Sequence, residues 1–166
     1  MIDPEAIDEC ARVLNGGGVA VIPTDTVYGL AAHPDFPAAV ERLWSIKGRD
    51  RTKPIAFLVS NASMLSGKAQ ELAVRHWPGA LTIVQNGEGY RMPDEPDVLK
   101  LIEKCGGRLR VTSANLSGDA PAITAQTGID ADFVLDGGKS KIGIPSTVVK
   151  VEGERVDVLR QGAIAI

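Results

Sequence analysis

Short apolar runs alternate with amphipathic stretches along most of the chain, and this alternation predicts an α/β protein. The runs are rich in Val, Ile and Leu and are bounded by Gly, Pro or Asn, as is typical of buried strands. The amphipathic stretches carry apolar residues at helical spacing. The predicted strands are 19–22, 55–59, 80–84, 109–111, 133–135, 147–151 and 156–160, and the predicted helices are 4–15, 35–46, 64–76 and 96–105.

Local signals mark several of the connections. Asn86-Gly87 is the strongest two-residue hairpin signal in the chain, so the segment around Tyr90 is expected to run back antiparallel to strand 80–84. Asp35 is a candidate N-cap for the second helix, since Pro37 is tolerated in a first helical turn. Residues 119–130 read as irregular, with room for a short helix near their centre.

Two of the predicted strands are followed by small polar side chains. The sequence TDT at 24–26 follows strand 19–22, and TSANLSG at 112–118 follows strand 109–111. Loops at the carboxyl ends of α/β strands commonly hold ligands, and hydroxyl and amide groups bind small polar ligands without adding charge. The alternative is that these side chains only satisfy backbone groups in a turn. Taken alone, the first loop is more typical of a turn than of a ligand site. The features of the rest of the chain, described below, favour a ligand site.

A basic segment follows the second predicted helix. Four cations lie within seven residues: Lys47, Arg49, Arg51 and Lys53. The helix dipole favours a cation at this end by about 0.3–1 kcal/mol, but its effect fades within the last turn and accounts for one or two of the four. The segment is therefore either a solvated basic loop or a site for a phosphate or carboxylate ligand, and the pattern leaves both open.

Composition and charge limit the class of protein. The 166 residues fit one domain, with 44% hydrophobic and 23% charged residues. No apolar run approaches the ~20 residues of a membrane span, and the first residues lack a secretory pattern. The net charge of −3 argues against a broad nucleic-acid surface. Cys10 and Cys105 lack metal-ligand spacing, so we expect buried thiols in a reducing compartment, the cytoplasm.

Several catalytic signatures are missing from the sequence. It contains no P-loop, no dinucleotide fingerprint and no Cys/His cluster for zinc, and neither His33 nor His76 is placed for a nucleophilic triad. An enzyme built on this sequence is therefore expected to act by positioning and charge neutralisation rather than through a covalent nucleophile.

Six short motifs, taken together and in this order, resemble the YrdC/TsaC family, whose activity is L-threonylcarbamoyladenylate synthase. They are PTDTVYGL at 23–30, KGR at 47–49, KP at 53–54, WPG at 77–79, SANLSG at 113–118 and PSTV at 145–148. Each motif is weak alone, but the resemblance covers about residues 6–162. It implies one YrdC-like domain over residues 1–166, with an α/β fold: a twisted open mixed sheet flanked by helices, with a basic concave cavity.

The resemblance also implies a reaction. Members of the family condense L-threonine, bicarbonate and ATP, with Mg²⁺, into threonylcarbamoyl-AMP and pyrophosphate. A TsaD-type transferase then uses the product to make N6-threonylcarbamoyladenosine at position 37 of tRNAs that read ANN codons. Weak direct binding of RNA, including double-stranded RNA, is a further expectation, and association with a membrane is not expected.

Carried over by motif, the predicted site residues fall into two groups. Thr26 and Ser146 would contact threonine, and Arg91 would pair with its carboxylate. The nucleotide side would comprise the tetrad Lys47, Arg49, Ser113 and Asn115, which is expected to be catalytic, together with Lys53 and Arg160. The resemblance implies no metal ligand from the protein.

The sequence departs from the family pattern in two places. The segment between Val84 and Arg91 is shorter than in most members, and Leu58 stands where some two-domain members have a histidine. No counterpart of the C-terminal domain of those longer members is expected. Two rival functions stay open: a YciO-like paralogue that keeps the fold and the nucleotide cavity, and a module that binds RNA or a nucleotide without chemistry.

Overall fold

The computed structural model describes residues 1–166 as four helices and nine strands. The helices are α1 (Pro4–Asn15), α2 (Pro37–Lys47), α3 (Gly67–His76) and α4 (Pro96–Lys104). The strands are β1 (Val19–Ile22), β2 (Gly29–Ala32), β3 (Ala56–Val59), β4 (Leu81–Gln85), β5 (Glu88–Arg91), β6 (Arg108–Ser113), β7 (Phe133–Val134), β8 (Thr147–Glu152) and β9 (Arg155–Arg160). Every helix and strand that the apolar pattern predicts is present, with ends shifted by a few residues.

All nine strands form one mixed sheet, in the order β7-β1-β2-β6-β3-β5-β4-β8-β9. The pairs β1–β7, β3–β5 and β4–β8 are parallel, and the remaining neighbours are antiparallel. Neighbouring strands rotate by roughly 20–25° relative to one another, so an open sheet of this size twists strongly from edge to edge. The predicted α/β fold, an open mixed sheet with flanking helices, is confirmed.

Strand β2 is the element that the apolar pattern misses. Its sequence, Gly-Leu-Ala-Ala, lacks the β-branched residues that mark the other strands. It nevertheless lies between β1 and β6 with all four residues buried. A Cβ on Gly29 would approach Val111 Cγ1 to 2.4 Å, so only glycine fits at that position. Residues 23–28 therefore connect two antiparallel strands, and the loop is short and tightly held.

Helices cover both faces of the sheet. Helices α1 and α4 pack on one face, over Ile22, Leu58 and Leu109. Helix α2 packs on the other face, over Val21 and Leu30, and α3 covers β4 and β8. Successive residues of β1 belong to opposite faces, as the two-residue period of a strand requires. Strands β1, β2 and most of β3 are thus buried on both sides, which explains their continuous apolar runs, whereas buried and less buried residues alternate along β8.

Some local predictions are wrong. Phe36, and not Asp35, occupies the N-cap position of α2, and the Asp35 amide instead donates to His33 Nδ1 at 3.0 Å. Helix α3 begins only at Gly67, because the residues before it form turns. One of these turns is closed by a hydrogen bond from the Ser63 amide to Asn61 Oδ1. The segment 119–130 contains no helix. Short polar segments give weak signals, and tertiary contacts decide their form.

The two cysteines are free and buried, as predicted. Burial raises the pKa of Cys10 to about 12 and that of Cys105 to about 11, with the neighbouring Cys105 adding to the effect on Cys10. Both therefore stay protonated thiols and act as core side chains. None of the four helices has the length and hydropathy needed to cross a membrane.

Candidate active site

The loop between β1 and β2 is shaped by Thr24. Its hydroxyl donates to Val27 O at 2.6 Å and accepts from the amides of Thr26 and Val27, both at 3.2 Å. Thr24 therefore closes a turn, the local role that threonine commonly takes. The alternative of a simple turn is thus correct for Thr24, whereas Asp25 and Thr26 form contacts outside the turn.

Asp25 and Thr26 form a buried cluster with Arg91, the last residue of β5. Arg91 Nη1 donates to Asp25 Oδ1 at 2.7 Å and to Gly79 O at 3.1 Å, and Nη2 donates to Thr26 Oγ1 at 3.0 Å. The side chains of Arg91 and Asp25 are 7% and 3% exposed. The second carboxylate oxygen, Asp25 Oδ2, is buried and has no hydrogen-bond partner.

Lys47, the last residue of α2, reaches the end of β6. Its Nζ donates to Thr112 Oγ1 and Ser113 Oγ, both at 3.1 Å, and its carbonyl oxygen accepts from the Ser117 amide at 2.9 Å. The residue is 3% exposed. Burial, together with the positive charge of Arg49, lowers the pKa of Lys47 to about 8. Hydroxyl partners cannot offset the charge of a buried ammonium group as a carboxylate would.

Arg49 follows a helix stop. Gly48 takes the left-handed conformation with φ 66°, which ends α2 and turns the chain. Arg49 Nη2 donates to Pro54 O at 3.1 Å, and its Nε is buried without a partner. Burial lowers the pKa of Arg49. The group is therefore a desolvated cation with an unused donor.

The other two cations of the basic segment face outward. Arg51 pairs with Glu41 and lies near the Trp44 ring. Lys53 is exposed and contacts its surroundings through its carbonyl oxygen, which accepts from Trp44 Nε1 at 3.1 Å. The structure thus groups Lys47 with Arg49 and leaves the Lys53 side chain at the surface.

Asn115 holds the loop after β6. Its Nδ2 donates to Leu116 O at 3.0 Å and to Asp119 O at 3.1 Å. Its Oδ1 is buried and has no partner. The amide therefore fixes the loop through one end and leaves an unsatisfied acceptor at the other. This loop also meets the β1–β2 loop, because the Ala114 amide donates to Tyr28 O at 2.8 Å.

Ser146 and Arg160 are joined at the start of β8 and the end of β9. Arg160 Nη2 donates to Ser146 O at 2.7 Å and to Ser146 Oγ at 3.3 Å. Ser146 Oγ also lies 2.8 Å from Thr82 Oγ1. The segment before Ser146 reaches the β1–β2 loop, where the Gly143 amide donates to Thr26 O at 2.9 Å.

Four of the predicted site residues form what we call the cationic cluster: Lys47, Arg49, Arg91 and Arg160. The pKa of Arg160 is lowered by burial and by the charges of Arg91 and Arg49. Arg49 has the same effect on Lys47, so the four charges lie within range of one another. Asp25 is the one carboxylate that forms a salt bridge with any of them. Such an excess of partly buried positive charge favours an anionic ligand.

Side-chain hydrogen bonds join the predicted site residues in three pairs: Lys47 with Ser113, Arg91 with Thr26, and Arg160 with Ser146. The side chains of Arg49 and Asn115 bond only within their own loops, and Lys53 lies at the surface. Sequence reasoning missed Asp25, Thr82 and Thr112, which hold Arg91, Ser146 and Lys47 in place. Asp25 lies within the first polar loop, so its position offered a signal. Nothing in the local sequence marks Thr82 or Thr112 as a partner of a distant side chain.

No group of three or more His, Cys, Asp or Glu side chains is placed to hold a metal ion.

A separate groove of about 470 Å³ opens between α2 and the sheet, and no predicted site residue lines it. Phe57 lies at its base, with the Arg110 guanidinium 3.7 Å from the ring centroid. Arg110 is already paired with Glu88 at 2.8 Å. Arg108 is the only lining cation without a carboxylate partner, so the groove suits a polyphosphate less well than the cationic cluster does.

Comparison with known sequences finds one family. Residues 12–162 match the Sua5/YciO/YrdC family model, which carries the description telomere recombination. The threonylcarbamoyl-AMP synthase of Bacillus subtilis (strain 168) is 33% identical over 189 aligned positions, which cover 98% of this chain and 54% of that protein. The aligned positions outnumber the 166 residues of this chain, so that relative carries insertions within the matched region.

Comparison with solved structures finds proteins named in the same family description, Sua5 and YciO. The crystal structure of Pyrococcus abyssi Sua5 complexed with L-threonine has a TM-score of 0.90 and 29% identity, covering 98% of this chain and 55% of that one. The crystal structure of Escherichia coli YciO has a TM-score of 0.85, covers 96% and 90% of the two chains, and is 21% identical, which concerns the fold alone. The chain thus spans about half the length of the Bacillus and Pyrococcus relatives.

Proposed function

The chain belongs to the Sua5/YciO/YrdC family, and we propose on this premise that it is an L-threonylcarbamoyladenylate synthase. Its substrates are L-threonine, bicarbonate and ATP, and its products are threonylcarbamoyl-AMP and pyrophosphate, so it acts as a nucleotidyltransferase. A relative with the name threonylcarbamoyl-AMP synthase and a Sua5 structure that holds L-threonine support this proposal. The observation that carries it is the cationic cluster, which adjoins two hydroxyl-bearing loops.

The nucleotide side comprises the end of α2 and the loop after β6. Lys47 and Arg49 neutralise the charge of the triphosphate, and Arg49 Nε has an unused donor for it. Ser113 and Asn115 contribute a hydroxyl and a free amide oxygen, groups that suit a ribose or a base edge. Arg160 adds a third cation, and Lys53, exposed at the rim, attracts the polyanion from solution.

The threonine side comprises the β1–β2 loop, β5 and the start of β8. Thr26 and Ser146 present hydroxyls to the amino acid, and Arg91 faces its carboxylate. Arg91 already donates hydrogen bonds to Asp25, Gly79 and Thr26, so it would donate to the substrate carboxylate through its remaining N–H groups. These bonds fix the guanidinium before substrate arrives, and such preorganisation lowers the cost of binding.

The chemistry follows from the charges. The threonine amine, once deprotonated, attacks the carbon of bicarbonate, with loss of water, or the carbon of its dehydrated form, CO₂, with loss of a proton, and either route yields N-carboxythreonine. An oxygen of the new carboxylate then attacks the α-phosphorus and expels pyrophosphate. Both reactants of the second step are anionic, so its barrier is largely repulsion and orientation. Lys47 and Arg49 offset the repulsion, and the hydroxyl-bearing loops align the nucleophile.

Mg²⁺ enters this proposal only as a companion of ATP. The chain offers no carboxylate cluster for the ion. Mg²⁺ commonly binds through substrate phosphates and water, and it would supply further neutralisation of phosphate charge. The charge-neutralising roles of Lys47 and Arg49 do not depend on it.

The product serves a second enzyme in this proposal. A TsaD-type transferase would move the threonylcarbamoyl group to adenosine 37 of tRNA, which places the protein in the cytoplasm. Direct binding of RNA, double-stranded RNA included, stays a prediction. With a net charge of −3, we expect such binding to be weak and to fall steeply with salt.

The test is pyrophosphate release from ATP by the purified protein, with the adenylate identified by mass spectrometry. We expect release only when both L-threonine and bicarbonate are present. The Lys47→Met variant should lose at least about 100-fold in rate and keep its melting temperature, because it removes a buried charge with no carboxylate partner. Lys100→Met, at a lysine whose side chain is 66% exposed, is the matched control and should keep full activity.

Two results would count against the proposal. An adenylate that forms at the same rate without threonine would point to another acceptor. No adenylate at all from a folded protein that still binds ATP would favour a YciO-like paralogue or a binding module.

A further inference from the structure

Asp25 holds a buried oxygen that the fold leaves unused. Its Oδ1 accepts from Arg91 Nη1 at 2.7 Å, whereas Oδ2 is inaccessible to solvent and lacks any partner. The side chain is 3% exposed. Nearly all buried polar groups in proteins are hydrogen-bonded, so a buried oxygen without a partner in the chain is a candidate contact for a ligand. The oxygen carries negative charge and accepts only, so the missing partner is a donor.

The segment that covers Asp25 shows the same feature. Residues 136–146, which we call the strap, cross the β1–β2 loop. The Ile142 amide donates to Asp25 O and the Gly143 amide to Thr26 O, both at 2.9 Å. Ser140 on the strap has a buried hydroxyl without a partner. Two facing segments that are joined by backbone bonds thus each contain an unsatisfied oxygen.

The neighbours of Asp25 are the side chains of the threonine side. Thr26 is adjacent in sequence and, like Asp25, accepts a hydrogen bond from Arg91. The strap ends at Ser146. An amino acid presents a carboxylate and an ammonium group on one carbon, so a site that orients it needs a cation and an anion a few ångströms apart. Arg91 is the one cation of the cationic cluster that forms a salt bridge with a carboxylate, and that carboxylate belongs to Asp25.

We propose that Asp25 Oδ2 accepts a hydrogen bond from the α-ammonium group of the amino-acid substrate. This inference rests on the proposed function and adds a binding residue to it. Arg91 and Asp25 then hold the two charged groups of the amino acid in a fixed relation, and the hydroxyls of Thr26 and Ser146 are left for the remaining polar atoms. The amine is thereby oriented before it loses its proton and reacts.

Isothermal titration without ATP tests the proposal, with L-threonine and 3-hydroxybutyrate as probes, the second lacking only the amine. The wild-type protein should bind L-threonine at least about tenfold more tightly, because the amine-free probe leaves a buried acceptor unpaired. Asp25→Asn keeps the shape but places an amide NH₂ where Oδ2 lies. It should bind L-threonine at least about tenfold more weakly and 3-hydroxybutyrate as well as the wild type does or better.

The controls separate this inference from folding and from the proposed function. Asp35→Asn, at a carboxylate that is 76% exposed, should bind both probes as the wild type does. Equal affinity of the wild-type protein for the two probes would overturn the inference without any variant. An equal loss of both probes in a folded Asp25→Asn protein would also overturn it and would assign Asp25 to supporting Arg91. A wild-type protein that binds no threonine would refute the proposed function as well.

Discussion

Lys47 carries a charge that the fold alone disfavours. Its ammonium group is buried between two hydroxyls, beside an arginine and without a carboxylate. Proteins keep such a group where a ligand supplies the missing counter-charge, since the cost in stability is then recovered on binding. Arg49 Nε and Asn115 Oδ1, both buried and unpartnered, follow the same logic. Three residues of the predicted tetrad thus lack a partner in the free protein: Lys47 lacks a counter-charge, and Arg49 and Asn115 each lack one hydrogen bond.

The lowered pKa of Lys47 predicts how ATP binding depends on pH. The pKa falls from the usual 10.5 to about 8 in the free protein, chiefly through burial. A bound triphosphate should raise it again, because its negative charge favours the ammonium form. Above about pH 8, binding must therefore take up a proton, and the KM for ATP should rise by up to about tenfold per pH unit. The measurement is the KM for ATP from pH 6.5 to 9.5.

Lys47→Arg is the matched control for this profile. Arginine stays charged across the range, so the variant should show a flat KM whatever its rate. A wild-type KM that does not change between pH 7 and 9.5 would contradict the buried ammonium as a phosphate ligand.

At the scale of elements, the C-terminal end of β9 is bonded to the start of β8. The Gly162 amide donates to Thr147 Oγ1 at 3.0 Å, and the Ala163 amide donates to Pro145 O at 3.0 Å. A Cβ on Gly162 would lie 2.4 Å from both Pro145 O and Ser146 O. This close approach fixes Ser146 against Arg160, so the geometry of the proposed threonine side depends on Gly162.

Gly162→Ala should therefore disturb both stability and threonine binding. Forcing a methyl group against two carbonyl oxygens costs about 1–3 kcal/mol, or roughly 3–10 °C in Tm for a chain of this size. The KM for threonine should rise several-fold, because Ser146 and Arg160 must shift apart. Thermal melts and steady-state kinetics measure the two effects.

Gly153→Ala provides the comparison. Gly153 lies in the β8–β9 turn with φ 59°, and no atom lies within 4 Å of the position that a Cβ would take. The change therefore costs only the strain of placing alanine in the left-handed conformation, about 1–2 kcal/mol. This variant should lose a few degrees in Tm and keep its KM for threonine. The same KM in both variants would show that Gly162 acts on stability alone.

The sequence predicts elements better than contacts. Short apolar runs predicted seven of the nine strands, amphipathic spacing predicted all four helices, and the Asn86-Gly87 signal predicted β5, because each of these signals is local. Strand β2 was missed because it is buried through small residues rather than β-branched ones. The motifs supplied the candidate site residues, but not the pair Asp25–Arg91. Its partners lie 66 residues apart, and their contact depends on strand order, which local pattern does not encode.

At the scale of the whole molecule, charge is unevenly distributed. The chain has a net charge of −3, yet four cations gather with a single carboxylate partner. One twisted sheet makes this possible. It places the loop after β1, the end of β6 and the start of β8 so that backbone bonds join all three. We propose that these segments form one site, with nucleotide on one side and amino acid on the other.

A crystal structure with L-threonine and a non-hydrolysable ATP analogue would show whether both ligands bind there. Triphosphate oxygens should lie within hydrogen-bond distance of Lys47 and Arg49, with threonine in the same site against Thr26 and Ser146. Ligands bound in the groove beside Arg108, or triphosphate and amino acid on separate faces of the sheet, would contradict this proposal.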